Sequence, residues 1–417
     1  MAKLKSKVVF ETLEGEYTVD EKIGEGGAGI VYGGLGPKGE AVAVKVLSAD
    51  RATSDKRRRF KNEIGFLVRV NHPHVVAVLD HGIAKTGTVQ GGFYVMRRYD
   101  SSLRSLIKKG IEPKKALSLF VQILKGVETA HLLKAVHRDL KPENILYDAK
   151  GDLLAVADFG VASFTADLML TTVETKPQQR LMNANYAAPE QRVVGGVVGT
   201  HADIFALGLI LHEMFTGQVP HGLEYETIGR TAPQFGYLDE LVRAMLINSA
   251  SGRLGTVAQV QSKMEQLNGE MLARQKISEI DGTVVETGGI ENPLAHEPPK
   301  LIGYDWADNV LHLKLDRPVN AEWIDVLQHH MGNFSNPMNQ PPGAFRFRGV
   351  DVQVNAASHE AQNTIDHFKG WLPQATLMLR HRLQHRLEVE KHTRELGLQK
   401  QRAAEEERLK VLGSLRI

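Results

Sequence analysis

The chain has 417 residues, of which 42% are apolar and 24% charged, and its formal net charge is +2. At roughly 100–200 residues per domain, this length predicts more than one compact unit, each with enough apolar material for a core. The absence of cysteine excludes disulfides, thiolate nucleophiles and cysteine-ligated zinc, and it suits a reducing compartment. No apolar run reaches the ~18 residues of a membrane-spanning helix. We therefore expect a cytoplasmic protein without membrane attachment.

The first hundred residues have strand patterns. β-Branched runs punctuated by glycine predict strands at 16–23, 30–34, 41–47, 75–81 and 93–98, with the last two as an antiparallel pair. Apolar residues at helical spacing predict a helix over 57–70. From about Ser101 onward helical patterns dominate, at 114–133, 203–215 and 238–247. A strand-rich part followed by a helix-rich part predicts an α+β fold with two segregated lobes.

The composition changes near Gly269. Residues 269–300 are acidic, contain few large apolar side chains and end in two prolines, which is typical of a linker. Further elements are predicted as a strand over 310–315, a helix over 320–331 capped by Asn320, a strand over 345–354, and a helix over about 357–412 interrupted at Pro373 and Gly397. The predicted domains are 1–268 with lobes 1–98 and 99–268, a linker 269–300, a small α+β domain 301–373, and a charged helical tail 374–417.

A glycine-rich segment carries the first chemical signal. Gly24, Gly26 and Gly29 are followed directly by the strand-like Ile30 and Val31, whereas a dinucleotide-binding fold needs a helix at that place. The segment therefore joins two strands and could fold over the phosphates of a nucleotide. Taken alone, it is explained equally well as a structural turn.

Lys45 ends the apolar strand predicted over 41–47. A lysine in that place usually belongs to a strand end that reaches water. In a phosphate-transferring enzyme it would contact the α- and β-phosphates and pair with a helix glutamate, for which Glu63 is the obvious residue. Without further motifs, Glu63 is better explained as a solvated charge on its helix.

The decisive segment is His137–Leu146, which reads His-Arg-Asp-Leu-Lys-Pro-Glu-Asn-Ile-Leu. An aspartate can accept or orient the proton of an incoming hydroxyl, and an asparagine later in the same loop can reach a metal ion. This segment resembles the catalytic loop of the eukaryotic-type (Hanks-type) serine/threonine protein kinases, and the resemblance extends over 17–268. It implies that Asp139 is the catalytic base, that Lys141 contacts the transferred phosphate, and that Asn144 binds metal.

Two later motifs strengthen this resemblance. Asp158 begins an Asp-Phe-Gly sequence and, by the resemblance, holds Mg²⁺ against the phosphates of ATP, with Mn²⁺ as an alternative. Ala188-Pro189-Glu190 resembles the end of the family's activation segment, and Arg253 the arginine that pairs with the Glu190 position. Small-molecule kinases generally lack these features. The resemblance therefore implies a bilobal protein-kinase fold, protein substrates and a bacterial member of the family.

The resemblance also assigns the adenine pocket and the hinge. The backbone of Arg97 to Tyr99 would form the hinge, and Arg97 replaces a residue that is commonly acidic. The apolar lining would consist of Ile23, Val31, Ala43, Met96 and Leu146. Such residues would be apolar in almost any core. Met182 and Asn183 replace a common Gly-Thr, which predicts unusual substrate docking without the loss of a required group.

Several hydroxyl residues lie between Asp158 and Glu190, and the arginine before the catalytic aspartate, Arg138, often binds a phosphate there in this family. We expect autophosphorylation on this segment, because pairing between phosphate and arginine can order a loop. The candidate positions are Thr171, Thr172 and Thr175. The alternative is a loop that is hydroxyl-rich because it is solvated.

The region after residue 300 resembles no family by its motifs. Its charged tail predicts an exposed helix; a coiled-coil homodimer is an alternative, although no clean heptad is sustained. His381 and His385 have metal-ligand spacing but fit a solvated face better. The tail's basic residues lack interleaved aromatics, so nucleic acid is not favoured as a partner.

Two other functions have to be weighed against an active kinase. The first is a pseudokinase-like scaffold, and the second is a regulatory module that acts through the C-terminal region. Lys45, Asp139, Asn144 and Asp158 are all present, which favours the enzyme.

Overall fold

The computed structural model describes residues 2–26, 29–49, 52–84, 89–159, 163–164, 185–193, 197–220, 224–286, 288–330 and 340–415. The chain divides into two compact units, Met1–Leu272 with Val411–Ile417, and Ala273–Lys410. Within the described ranges, none of the helices combines the length and the apolarity that a membrane crossing requires.

The first unit begins with an antiparallel sheet of order β1-β2-β3-β4-β6-β5. Its strands are β1 (Ala2–Glu11), β2 (Glu16–Gly26), β3 (Gly29–Leu35), β4 (Ala41–Ser48), β5 (Val78–Ala84) and β6 (Gly91–Arg97). The antiparallel pairing of β5 with β6 is confirmed. β1 was not predicted, because lysines interrupt its apolar pattern, as is common in edge strands. It joins the core through Phe10, whose ring lies 4.9 Å from that of Phe93.

Helix α1 (Ser54–Leu67) lies between β4 and β5 in the chain. It begins at Thr53, whose side chain accepts a hydrogen bond from the Lys56 N–H at 3.3 Å. A threonine cap satisfies one of the backbone donors that a helix start leaves unpaired. Phe60, Glu63 and Phe66 are buried, so this face of α1 is directed into the protein.

The rest of the first unit is mainly helical. Its helices are α2 (Leu103–Lys109), α3 (Pro113–Leu132), α4 (Thr200–Thr216), α5 (Ile228–Thr231), α6 (Leu238–Met245) and α7 (Val257–Asp281), of which residues 257–272 belong to this unit. Its short strands are β7 (Ser101–Ser102), β8 (Ala135–Val136), β9 (Ile145–Asp148), β10 (Leu153–Val156) and β11 (Ser163–Phe164). Every residue of α4 from Ala202 to Phe215 is buried, as expected of a helix in the middle of a core.

The second unit is built on an antiparallel sheet of order β12-β13-β15-β14. Its elements are β12 (Leu301–Ala307), β13 (Val310–Leu315), α8 (Ala321–His329), β14 (Arg346–Arg348), β15 (Asp351–Asn355) and α9 (Ala361–Ser414). Asn320 caps α8 as predicted, accepting from the Trp323 N–H at 2.9 Å. The core of this unit contains Trp323, fully buried, and the stacked rings of Phe345 and Phe368.

Two predictions about this region are wrong. The strand over 345–354 is two strands, because Gly349 adopts a φ of 64° and turns the chain. The helix over 357–412 is not interrupted: α9 continues through Pro373 and Gly397. Pro373 is exposed, whereas Trp371, Leu372 and Ala375 beside it are buried, so packing outweighs the lost backbone hydrogen bond.

The predicted linker also differs from the structure. Helix α7 runs on to Asp281, and Leu294 and Ala295 are buried in the core of the second unit. Ala375 and Leu379 belong to that same core, so no structural break separates a small domain from a tail near residue 373. Acidic composition did not reveal the helix, since α7 has no strongly apolar face in this stretch.

Candidate active site

Strand register defines one face of the sheet in the first unit. In the pair of β4 with β6, Lys45 lies opposite Tyr94 and Ala43 lies opposite Met96. In the pair of β3 with β4, Val31 lies opposite Lys45. Directly opposed residues of an antiparallel pair point to the same side of the sheet. These side chains therefore share one face, which includes four of the predicted nucleotide-binding residues.

Lys45 is the centre of a buried group of charges on this face. Its Nζ lies 2.8 Å from Glu63 Oε1 and 3.0 Å from Asp158 Oδ1. Burial opposes the charge of Lys45, but Asp158 and Glu63 hold its pKa well above the ordinary value. Burial would also raise the pKa of Asp158, yet Lys45 keeps that pKa below its usual value. We call Lys45, Glu63 and Asp158 the Lys45 cluster.

A second polar group lies between β8 and β9. Lys141 Nζ is 2.8 Å from Asp139 Oδ2, and Asn144 Nδ2 donates to the same oxygen at 3.2 Å and to the Asp139 carbonyl at 2.8 Å. Burial raises the pKa of Asp139, and Lys141 opposes that rise. A carboxylate with a raised pKa beside a cation suits a general base. We call Asp139, Lys141 and Asn144 the Asp139 loop.

Asp203 on α4 holds the start of this loop. Its carboxylate accepts hydrogen bonds from the backbone N–H groups of His137 and Arg138, both at 2.8 Å, and lies 2.8 Å from His131 Nε2. Arg138 has a φ of 65°, in the left-handed region that costs a non-glycine residue about 1–3 kcal/mol. The fully buried carboxylate of Asp203 offsets that strain by fixing two successive amides.

The Lys45 cluster and the Asp139 loop are joined through backbone. The Ala157 N–H donates to the Asn144 carbonyl at 2.8 Å, and the Ala157 carbonyl lies 2.9 Å from His137 Nε2. Asp158 follows Ala157 directly, with a φ of 66°. Both backbone groups of Ala157, its N–H and its C=O, are therefore hydrogen-bonded to residues 137–144. These hydrogen bonds keep the neighbouring Asp158 beside the Asp139 loop.

Asn144 and Asp158 carry side-chain oxygens of the kind that a divalent metal binds. The side-chain nitrogen Nδ2 of Asn144 donates to Asp139. The side-chain oxygen Oδ1 of Asn144 is therefore the atom that could contact a cation, together with the Asp158 carboxylate. Oxygen donors of this kind suit Mg²⁺, which usually takes its other ligands from water and phosphates. Within the described ranges, no group of three or more His, Cys, Asp or Glu is placed to hold a metal without such help.

Ile23 and Leu146 are the two remaining residues of the predicted apolar lining. A Cβ built on Gly33 of β3 would come within 2.9 Å of Ile23 Cδ1, so Ile23 lies against that strand. Leu146 on β9 packs against the core that contains Ala43 and Met96. The structure thus places Ile23, Val31, Ala43 and Met96 at this sheet face, and Leu146 on β9 against the core of the first unit.

The last residue of β6 and the residue that follows it each form an ion pair. Arg97 pairs with the buried Asp148 at the end of β9, and its guanidinium carbon lies 5.9 Å from the Tyr99 ring. Arg98 pairs with Glu21 on β2 at 2.5 Å. The sequence showed that the charge of Arg97 is unusual but indicated no partner for it. The predicted hinge is therefore tied to a different strand at each of its two arginines.

The predicted glycine loop connects β2 and β3. Gly26 pairs with Gly29 at the described end of the hairpin, and Gly24 pairs with Val31. Gly29 has a φ of 133°, and a Cβ there would lie 2.4 Å from the Val46 carbonyl oxygen. Only glycine fits this position, because both the backbone angle and the space exclude a side chain.

Sequence reasoning missed two tyrosines in this region. The Tyr94 hydroxyl donates to Glu63 at 3.0 Å, and Tyr186 donates to Glu213 beside Arg104. Their aromatic rings are indistinguishable from ordinary core residues in a strand or loop pattern. The predicted phosphorylation positions Thr171, Thr172 and Thr175, the departures Met182 and Asn183, and Gly160 lie outside the described residues.

Comparison with known proteins agrees with this geometry. A family model described as "Protein kinase domain" matches residues 17–278. The chain is similar to the serine/threonine-protein kinase PrkC of Bacillus subtilis, with 32% identity over 221 residues that cover 51% of this chain and 32% of PrkC. It is also similar to the serine/threonine-protein kinase PknD of Mycobacterium tuberculosis, with 36% identity over 215 residues that cover 50% of this chain and 30% of PknD.

The matches therefore span about a third of the length of these curated relatives. The family model, in contrast, covers more than half of this chain. The α+β architecture of the first unit, a strand-rich sheet followed by helices, is the one that the resemblance implied. The chain belongs to the protein kinase domain family, whose members use ATP, a divalent metal and protein substrates.

Proposed function

We propose that this chain is a serine/threonine protein kinase that transfers the γ-phosphoryl group of ATP to hydroxyl groups of protein substrates. The observation that carries the proposal is the presence of both charged groups, the Lys45 cluster and the Asp139 loop, joined through Ala157. Phosphoryl transfer depends mainly on positioned charges, and these two groups supply the ones it needs from the protein. The names of the similar proteins support the serine/threonine class.

In this proposal Asp139 orients the substrate hydroxyl and takes its proton as the new oxygen–phosphorus bond forms. The bond to the ADP oxygen breaks in the same transfer. Lys141, 2.8 Å from Asp139, also contacts the moving phosphoryl group and offsets its negative charge. The raised pKa of Asp139 makes it a better proton acceptor than an exposed aspartate.

Lys45 contacts the α- and β-phosphates of ATP, and Glu63 holds Lys45 in place. Asn144 and Asp158 hold the divalent metal, which supplies positive charge next to the phosphates when it is bound. The backbone at Arg97 and Tyr99 binds the adenine edge, and Gly24, Gly26 and Gly29 cover the phosphates. The apolar slot for adenine is lined by Ile23, Val31, Ala43, Met96 and Leu146.

The experiment is intact-mass analysis of phosphatase-treated protein incubated with Mg²⁺-ATP and a generic protein substrate. An Asp139→Asn variant is the matched control, because it keeps the size of the side chain and removes the base. We expect phosphate on the wild type and a rate about 10²–10⁴-fold lower in the variant. Equal rates would overturn the role of Asp139, and a wild type that binds ATP without transferring phosphate would favour the scaffold alternative.

We also propose that autophosphorylation at Thr171, Thr172 or Thr175 activates the enzyme. The support comes from Arg138: its buried Nε has no hydrogen-bond partner within the described part of the chain, while Nη2 donates to the Val198 carbonyl at 3.1 Å. A buried guanidinium N–H without a partner favours binding of an anion such as phosphate. Mapping of phosphorylated peptides tests this, and full activity of the triple alanine variant would contradict it.

Two finer statements belong to the same proposal. Mg²⁺ is the working metal, with Mn²⁺ as the alternative, and the protein acts in the cytoplasm. The oxygen atoms of Asn144 and Asp158 suit either metal, and the cysteine-free composition is compatible with a reducing compartment. Rates in titrations with each metal and cell fractionation test the two statements separately.

A further inference from the structure

Tyr94 is a buried tyrosine that the proposed mechanism leaves without a role. It lies in β6, is 1% exposed, and is directly opposite Lys45 of β4. Its ring centroid is 5.6 Å from Lys45 Nζ and 5.6 Å from the centroid of the Phe60 ring. Its hydroxyl donates to Glu63 Oε1 at 3.0 Å. Phe60 and Glu63 are one turn apart on α1, so a single side chain contacts the helix at two points.

The Lys45 cluster contains two carboxylates and only one ammonium group. Glu63 Oε1 accepts hydrogen bonds from both Lys45 and Tyr94, whereas the buried Oε2 has no partner among the described residues. Burial raises the pKa of Glu63, and Lys45 and Tyr94 oppose that rise. The tyrosine hydroxyl is thus a second donor to Glu63 that brings no charge of its own. A buried carboxylate with so few donors depends on each of them.

We propose that Tyr94 is a positioning residue, whose hydroxyl holds Glu63 and α1 in the arrangement that keeps Lys45 ready for the nucleotide. This inference rests on the proposed function, since the position of Lys45 affects phosphate transfer only in a kinase. Lys45 already divides its donors between Glu63 and Asp158. When ATP phosphates also approach Lys45, they compete with Glu63 for the hydrogen bonds of the ammonium group. The Tyr94 hydroxyl continues to donate to Glu63 alone.

The test compares Tyr94→Phe with Tyr17→Phe in the full-length protein. Tyr17 is a matched control because it is also buried in the same sheet and donates to a carboxylate, Asp80 Oδ2, at 3.1 Å. It belongs to a different core cluster from that of Tyr94. Both variants keep the aromatic ring and lose one hydroxyl–carboxylate hydrogen bond.

Two readouts separate positioning from general stability. Hydrogen exchange of α1 amides, measured without nucleotide, should be about tenfold faster in Tyr94→Phe and unchanged in Tyr17→Phe, because only Tyr94 contacts this helix. With ATP, kcat of Tyr94→Phe should fall about tenfold while KM for ATP changes less than about threefold, since the adenine slot is untouched. Equal values in the two variants would overturn the inference.

Tyr94→Phe could also lower kcat by destabilising the fold, and a second variant, Glu63→Gln, tests this alternative. In Glu63→Gln, the charged acceptor is already lost, so adding Tyr94→Phe should lower kcat by less than about twofold. An undiminished tenfold loss in that background would show that Tyr94 acts on the fold and not through Glu63. If the wild type transfers no phosphate, the proposed function fails, and the exchange measurement still decides whether Tyr94 holds α1.

Discussion

Arg253 donates to both carboxylate oxygens of Glu190, at 2.8 and 3.2 Å, from a side chain that is entirely buried. The same guanidinium donates to three backbone carbonyls and lies 4.9 Å from the Phe205 ring centroid. Burial would raise the pKa of Glu190, but Arg253 keeps that pKa below its usual value. The pair therefore fixes the turn Pro189–Arg192 against the helical part of the first unit.

Replacing Arg253 by Met should lower the free energy of unfolding by about 3–5 kcal/mol, because a largely buried carboxylate and three carbonyls lose their donor. Thermal unfolding followed by circular dichroism measures this effect. Arg58→Met is the control, since Arg58 is half-exposed and lies 3.7 Å from Asp55, and its removal should cost less than about 1 kcal/mol. Similar losses in both variants would contradict the structural role of the Arg253 pair.

Arg104 on α2 should be coupled to Glu213 on α4. Arg104 donates to Glu143 and to the Tyr186 hydroxyl, each at 2.6 Å, and pairs with the nearly buried Glu213. Arg104→Met should destabilise the protein by about 3 kcal/mol, because it leaves two carboxylates without their cation. The measurement is a double-mutant cycle of Arg104→Met with Glu213→Gln, in chemical denaturation.

The cycle should show a coupling energy above about 1 kcal/mol, as expected for charged residues in one network. Lys115→Met, which breaks the exposed pair with Asp152, should change stability by less than about 1 kcal/mol. Additive effects of the two mutations would mean that Arg104 and Glu213 do not stabilise one another.

Activity should decrease at acid pH, with a midpoint above the usual pKa of an aspartate. Asp139 has to be ionised to accept a proton, and burial raises its pKa, so activity is lost as the pH drops through that raised value. Lys141→Met removes the cation that opposes the rise and should move the acid limb of kcat/KM to higher pH. If the acid limb of Lys141→Met lies at the same pH as in the wild type or at a lower pH, Asp139 is not the proton acceptor. This comparison does not depend on the absolute rate of the variant.

Pro373→Ala should stabilise the second unit. Proline inside a helix costs about 3 kcal/mol relative to alanine, and Pro373 is an exposed position within the continuous helix α9. Gly397→Ala should add only about 0.5–1 kcal/mol, since a Cβ there meets no atom within 4 Å. Calorimetry of the full chain measures both changes. A helix broken at Pro373 would show no gain in the first variant.

Local patterns in the sequence predicted many of the strands and helices of this protein and the family to which it belongs. Strands and helices with clear apolar periods, such as the strand over 310–315 and the helix capped by Asn320, are confirmed because their side-chain spacing is a local property. The catalytic-loop motif identified the family, since its charged residues lie close together in the chain. The roles of its residues stay predictions that the experiments above test.

Other features were decided only by tertiary structure. The contact of Tyr94 with Glu63 and the pairing of Arg97 with Asp148 join residues that lie far apart in the chain. Helix α9 continues through Pro373 because neighbouring side chains are buried, which outweighs the local preference of proline. The sequence alone determined which charged residues the protein has in its kinase motifs. Packing decided which of them meet, because burial and hydrogen-bond partners depend on residues that no local pattern connects.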